Sequence, residues 1–479
     1  MYLLSRLFIF VHFLSLSISA QIGVIWTESI AVAAPEYGYT GPKIELLADG
    51  SPLVIWGKSA THEIFQTRWN GAGFNIPSAV HTGDLHPMIH SVEGPSLATA
   101  GDTVFISMET MSNPAYGMFT IRSLDGGQNF DEPVRIYEDP ERRTILPVVN
   151  TGPGGQPFVN YISSNNSFTD ARYEIVRSTD GGLTYAPPVS ANSQEGGGIV
   201  CECCKAGTVI SADSVFLLYR NNFSNLRDMW LSLSTDGAEN FEYGLDIDNT
   251  DWIINSCPTS GPDGVVFDGH LWVAMMSGAS MLNKVYLSRI DPVTLELEGQ
   301  ILLAGENSGS FQNHPRIATN RHIGAVVWQD QYSTDVDVWV TILDEELLQN
   351  ATLTYPITNE SGSQDNPDIA INADKIFVVY EDASTQQIMC KIGFISNYNT
   401  SIYEHLFQVK SPIIYDHKLY LDDPSLPDEI TIYDNQGKIM HKGARVGGEA
   451  ISVAGWPAGL YILWGQKSGR WVSAKIYRP

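Results

Sequence analysis

Along most of this chain apolar residues alternate with polar ones in short runs, the period-two signature of strands with one buried face. Denser runs recur through it: Leu53-Val54-Ile55-Trp56, Val104-Phe105-Ile106-Ser107-Met108, Pro157-Phe158-Val159-Asn160-Tyr161, Val215-Phe216-Leu217-Leu218-Tyr219, Leu271-Trp272-Val273-Ala274, Ala325-Val326-Val327-Trp328 and Ile376-Phe377-Val378-Val379-Tyr380. Each follows a segment that opens near a proline or its equivalent, in order Pro42, Pro95, Pro147, Lys205-Ala206, Pro258, Pro315 and Pro367. Seven such units fill roughly residues 40–400. Propeller blades place four strands in about 40–50 residues. The pattern predicts an all-β, six- or seven-bladed β-propeller, either a plain ring of seven or a ring closed by a unit split between the chain ends.

A second pattern has the same period. Ser123-Leu124-Asp125-Gly126-Gly127-Gln128-Asn129-Phe130 returns as Ser178-Thr179-Asp180-Gly181-Gly182-Leu183-Thr184-Tyr185, and again as Ser234-Thr235-Asp236-Gly237-Ala238-Glu239-Asn240-Phe241. Asp-Gly between β-rich runs marks a hairpin, because glycine adopts positive φ without steric cost. The Ser and Asp side chains are suited to bonding turn amides, and the aromatic to folding back beneath the hairpin. These segments resemble the Asp-boxes (BNR repeats) of sialidase-like β-propellers. The resemblance implies that the boxes sit on the blade periphery, so that Asp125, Asp180 and Asp236 cap turns and are not catalytic.

Around residue 400 the pattern changes. Ile430-Thr431-Ile432-Tyr433-Asp434 alternates, Asn435-Gln436-Gly437 marks a turn, and Lys438-Ile439-Met440, Ile451-Ser452-Val453 and Leu460-Tyr461-Ile462-Leu463 follow. Residues 411–479 read as a separate small β-sandwich. With Tyr433-Asp434-x-x-Gly437-Lys438, Gly459-x-Tyr461 and a last strand carrying Lys475, this segment resembles the C-terminal sorting domain of the Bacteroidetes type IX secretion system. That resemblance implies the secretion machinery as a partner. A carbohydrate-binding or Ig-like sandwich is the alternative.

Composition narrows the function classes. The 479 residues carry a formal net charge of −26, which disfavours nucleic acid and anionic membranes as partners. An anionic ligand would need a local basic pocket. Arg6, the apolar run Leu7–Leu16 and the small residues Ser17-Ile18-Ser19-Ala20 read as a signal peptide over 1–20. No later run is long enough for a membrane span. A propeller over 21–405, secreted or at the cell surface, is therefore expected to oxidise its cysteine pairs.

Chemistry is sought at the propeller mouth, on loops that lead into inner strands. Cys201, Cys203 and Cys204 precede the fourth unit and Cys257 precedes the fifth. The default reading is a disulfide from the first loop to Cys257, with a possible second pair within that loop. A soft-metal thiolate site with His314 or His86 is the lesser alternative, and no other cofactor is expected. Cys390 reads as a buried lone thiol. Arg220 and Arg227 suit bidentate recognition of an anionic sugar, or else Arg227-Asp228 braces the blade. Tyr219, Asp228, Glu93, Glu109, His86, His314 and Arg316 complete the candidates, Glu93 as a general acid or base.

The sialidase resemblance implies three arginines on a substrate carboxylate, a tyrosine nucleophile paired with a glutamate, and an aspartate acid/base. Arg220, Arg227 and Arg316 would form that triad if three blades converge. The Arg-Ile-Pro motif of the first blade is replaced here by Gly41-Pro42-Lys43-Ile44. Three functions follow: an exo-glycosidase of sialidase type acting on an extracellular glycan or glycoprotein, a non-catalytic propeller binding glycan or protein, and a thiolate-metal enzyme at the cysteine loops.

Overall fold

The computed structural model describes residues 22–90, 94–111, 116–167, 169–192, 199–303, 309–320, 322–343 and 354–397. In the C-terminal part it describes 413–415, 418–420, 429–434, 438–444, 450–457, 459–467 and 470–478. The leader 1–20, Glu93 and the turn Asn435-Gln436-Gly437 lie outside the described residues. Trp26–Gly393 forms one compact unit, and Phe394–Pro479 with Ile22–Ile25 a second.

The first unit is a seven-bladed propeller. Its innermost strands are Tyr39–Leu46, Ser96–Ala100, Arg142–Thr151, Gly207–Ser211, Asp263–Phe267, Phe311–Thr319 and Gln364–Ile371. Six head antiparallel four-stranded sheets and the last, Gln364–Ile371, heads a five-stranded one; the seven strands neighbour one another in cyclic order, the last against the first. The dense apolar runs are the second strands. Leu53, Val54, Ile55 and Trp56 are all fully buried, because a second strand is covered on both faces by neighbouring blades. Such a strand needs a continuous apolar run, whereas a strand with one wet face alternates.

Both readings of the ring hold together: there are seven blades, and one is shared between distant parts of the chain. Gln364–Ile371, Lys375–Asp382 and Gln387–Asn397 supply three strands of the seventh blade. Ile30–Ala31 supplies another, paired as Ile30↔Cys390 and Ala31↔Met389. The amides of Val32 and Thr27 extend the seam to the carbonyls of Ile388 and Ile392, each at 2.9 Å.

The three Ser-x-Asp-Gly segments share one geometry at the turn between third and fourth strands. Ser178 Oγ accepts the amides of Gly182 (2.8 Å) and Asp180 (3.2 Å), and Asp180 Oδ1 accepts those of Leu183 and Thr184. Ser123 and Ser234 repeat the pattern. The aromatics do not fold beneath their own hairpins. Phe130, Tyr185 and Phe241 pack into the cores between their blade and the preceding one, and Tyr185 Oη donates to Thr120 Oγ1 of that preceding blade at 3.0 Å. An arginine of the preceding blade secures the box: Arg122 donates to Gly181 O and Arg177 to Gly237 O, both at 2.8 Å. The box is thus an inter-blade latch. We expect Ser178→Ala to cost roughly 1–2 kcal/mol in urea unfolding, because it strips buried amides of their acceptor; a change below about 0.3 kcal/mol would refute the latch.

Asp125 and Asp180 are held down to about 2 by their bonds to Asn129 and Thr184. A depressed carboxylate stabilises the fold above its unfolded value, near 4, and that contribution fades as pH falls from about 4 to 2.

In the second unit, Ile413–Tyr415, Lys418–Tyr420 and Ile451–Ser452 form one sheet. Glu429–Tyr433, Ile439–Ala444, Gly459–Lys467 and Arg470–Arg478 form another. Leu419 from the first joins Ile430, Ile432, Tyr461 and Leu463 from the second in one core, the expected sandwich. Among the described residues no helix is long and apolar enough to cross a membrane.

Candidate functional site

Four inner strands break register at an X-Pro step: Gly41-Pro42, Leu146-Pro147, His314-Pro315 and Asn366-Pro367. Proline has no amide to give the ladder, so the pair is accommodated as a bulge. The residue before it takes positive φ: 65° at Gly41, 58° at Leu146, and 50° at both His314 and Asn366. For the three non-glycines this backbone costs on the order of 1 kcal/mol or more each, strain of the kind held at functional sites. The bulges bring these residues together around the axis.

A small pocket of about 90 Å³ results, lined by Gly41, Lys43, Leu146, Cys203, Lys205, Ser260, His314, Arg316 and Asn366 among others. In the fifth blade the inner strand is opened by Gly261-Pro262 and not by Pro258, which lies earlier in the loop. A Cβ on Gly261 would sit 1.8 Å from Lys205 O, so close approach of two backbones demands glycine there. Below the pocket a channel of about 500 Å³ runs between all seven inner strands.

Cations gather here in a strongly acidic protein. Lys43, Lys205 and Arg316 all face the pocket. Lys205 Nζ donates to Gly94 O at 3.0 Å, spanning from the fourth blade to the second. Asp368 offsets part of the charge, with Oδ2 4.0 Å from Lys43 Nζ and Oδ1 3.7 Å from Arg316 Nε. Burial, with Arg316 and Lys43 beside it, pulls His314 down to about 4, so the ring is neutral at neutral pH and offers a single N–H. Glu45, open only onto the channel, is pushed up to about 8 by burial and by Asp368 and Asp263, so it is protonated at neutral pH. Burial, with Arg316 beside it, pulls Lys43 down as well, so the charge that Glu45 gives up is offset in part.

Next to the pocket, Glu381 Oε1 accepts from two residues that line it, Gly41 N (2.7 Å) and Asn366 Nδ2 (2.8 Å), and from Thr40 Oγ1 (2.9 Å). Its cross-strand partner is Asp365. Burial raises both carboxyls, and Asp365 raises Glu381 further, the condition of a general acid. Neither residue stands out in the sequence. The signal for Glu381 was its position at the end of a second strand, Val379-Tyr380-Glu381, where polarity resumes beside the axis.

The sequence-derived candidates separate. Arg316 and His314 line the pocket. Arg220 does not: it is fully buried, donating to Arg227 O (2.7 Å), Met276 O (2.6 Å) and Ser260 O (3.2 Å), with its guanidinium 5.1 Å from the Trp252 ring. Arg227 is buried too, donating to Ile254 O and to Cys201 Sγ. Buried Asp228 accepts Trp252 N at 2.8 Å, and Tyr219 packs against Tyr173 in the core. These residues brace the fourth blade: Tyr219 and Arg220 end a second strand that is covered on both faces, and Arg227 and Asp228 lie in the buried loop before Met229. Arg220, Arg227 and Arg316 do not converge into a clamp.

Glu109 is mostly buried and takes Leu146 N at 3.2 Å, holding that bulge in place. His86 contributes its carbonyl to Met111 N. The expected disulfide joins Cys203 to Cys257, with Cα atoms 6.3 Å apart, while Cys201, Cys204 and Cys390 are buried thiols.

No protein-family model and no curated protein matches this sequence. Among solved structures the chain is similar to a protein of unknown function from Dyadobacter fermentans, at 11% identity over 78% of this chain and 100% of that one, with a TM-score of 0.49. It is similar to an ulvan lyase of polysaccharide lyase family PL25, at 9% identity over 77% and 96%, with a TM-score of 0.49. It is also similar to the GH93 α-L-arabinofuranosidase of Fusarium graminearum, at 10% identity over 76% and 96%, with a TM-score of 0.42.

Proposed function

We propose that this is an exported propeller that acts on an extracellular glycan by holding an acidic group of it at the axial mouth. The observation that carries the reading is the placement of Lys43, Lys205 and Arg316 around one pocket in a chain of net charge −26. Cations concentrated against the overall charge point to an anionic ligand. The pocket holds only about three water volumes, enough for a carboxylate or sulfate but not a sugar ring. The ring would rest on the rim, beside Glu381 and Asp365. Arg316 presents the fork that suits either oxyanion, and Lys205 a point charge.

Isothermal titration with uronate-, sialate- and sulfate-bearing oligosaccharides, against neutral ones, tests this. We expect acidic ligands alone to bind, and Arg316→Met with Lys205→Met to weaken them at least 100-fold, about 2.7 kcal/mol. Equal affinity of the double variant would sink the reading.

Hydrolysis is a second reading, favoured by the Glu381–Asp365 pair. If Glu381 donates the proton to a departing glycosidic oxygen, Glu381→Gln should lower kcat by at least 100-fold while leaving binding within about threefold. Of the three arginines considered for a clamp of the kind the sialidase resemblance implies, Arg316 lines the pocket and Arg220 and Arg227 do not. Export is proposed to use residues 1–20 and 411–479, the latter with type IX machinery. Removal of 411–479 should trap the protein in the periplasm of its host, and extracellular protein after that removal would refute this route.

A further inference from the structure

Beside the mouth lies a cluster that anion binding does not use. Four sulfurs meet where the loop before the fourth blade touches the loop before the fifth. Cys257 is exposed and Cys203 lines the mouth pocket, whereas Cys201 and Cys204 are fully buried behind them. Cys201 Sγ lies 3.5 Å from Cys203 Sγ and 3.5 Å from Cys204 Sγ. Arg227 Nη1 donates to Cys201 Sγ at 2.9 Å, and Tyr173 Oη holds the Cys204 carbonyl at 2.7 Å.

A guanidinium donor favours thiolate, and thiolate is the species that attacks a disulfide. The bond from Cys204 and the charges of Arg227 and Arg220 bring Cys201 down to about 6, while Cys204, behind it, is raised. One nucleophile, one proton-bearing neighbour and one disulfide sulfur are thus in contact.

We infer that the four cysteines form a thiol–disulfide exchange unit that moves the disulfide from the mouth into the interior. Cys201 thiolate attacks Cys203 Sγ; the Cys201–Cys203 bond forms, Cys203–Cys257 breaks, and Cys257 leaves as thiolate. Cys204 then attacks Cys201 Sγ; Cys201–Cys204 forms and Cys203 departs, taking the proton that Cys204 gives up. Each step makes one S–S bond and breaks one, so no outside oxidant or reductant enters.

The product presents Cys203 and Cys257 as thiols at the mouth. There they reduce an external disulfide, small or peptidyl: Cys257 attacks it, one thiol leaves, Cys203 displaces the second, and the Cys203–Cys257 bond returns. The protein thereby ends with two disulfides and the external disulfide becomes two thiols.

The test is differential alkylation of the folded full-length protein with N-ethylmaleimide, followed by peptide mapping. We expect Cys203 and Cys257 to be labelled together, with a Cys201–Cys204 disulfide in the same molecules. Cys201→Ser should abolish labelling of Cys257. Arg227→Met, which keeps every sulfur, should slow it about tenfold by lowering the thiolate fraction. With oxidised glutathione the wild-type protein should release two thiols per chain. Cys257 that stays unlabelled in the wild type, or is labelled as fast in either variant, would overturn the inference, as would labelling of Cys201 and Cys204 with Cys203–Cys257 intact.

Discussion

Replacing Arg220 by methionine is expected to remove about 3–5 kcal/mol of stability, the largest single-residue effect in the propeller. The two side chains are similar in length, so packing is nearly kept and the loss is one of hydrogen bonds. Arg220 is fully buried and ties together three carbonyls that belong to different segments, Arg227 O, Ser260 O and Met276 O. Without it those oxygens lose their charged donors in a place water does not reach. Ser260 also lines the mouth, so the fifth-blade side of the pocket loosens with the brace. Urea unfolding followed by tryptophan fluorescence measures the effect. A loss under about 1 kcal/mol would mean that water replaces the guanidinium at no great cost, and the bracing role would fall.

Removal of residues 21–33 is expected to cost about 5 kcal/mol or more and to convert a cooperative unfolding transition into a broad one. The segment supplies the Ile30–Ala31 strand, the amides of Thr27 and Val32, and the carbonyl of Ala33 that receives Gln387 Nε2 at 2.8 Å. Roughly four backbone bonds at about 1 kcal/mol each are lost, with the burial of Val32 and Ala33 in addition. A row of amides and carbonyls on Gln387–Ile392 then lies unpaired, a template for association with another chain. Urea unfolding together with sedimentation velocity reads both consequences. A truncated protein that stays monomeric and unfolds as steeply as the full chain would show that the ring closes without its seam.

The two stability predictions bear on the mouth in the same way. The pocket is not carried by one blade. Its cations come from the first, fourth and sixth blades, and Glu381, which holds Gly41 N and Asn366 Nδ2 of the lining, comes from the seventh. Any change that lets the ring relax displaces these groups from one another, so anion affinity should fall with stability in both variants even though neither changes a pocket side chain's charge.

Much of the architecture is legible along the chain, because it depends on local chemistry repeated at a fixed period. Ser-x-Asp-Gly fixes a turn by its own side-chain bonds, and a run such as Val215–Tyr219 is apolar throughout because both its faces are covered. These are properties of a short segment, and seven copies announce a ring. The Cys203–Cys257 bond was likewise within reach, since consecutive blades bring consecutive loops together. The position of the site was not. Arg220, Arg227 and Arg316 look alike in sequence, and only the packed blades separate them: Arg220 ends a covered second strand, Arg227 lies in the buried loop after it, and Arg316 stands on an inner strand at the axis. Lys43, Lys205 and Glu381 are single polar residues in unremarkable surroundings, and Arg122 and Arg177 carry no mark of the neighbouring turns they hold. What they do depends on closure of the ring, which brings residues more than 300 apart in the chain, such as Gly41 and Glu381, within 2.7 Å. The sequence by itself determined the repeating unit, because each unit is held by its own near neighbours. The tertiary structure decided the site, because its charges meet only where seven strands converge.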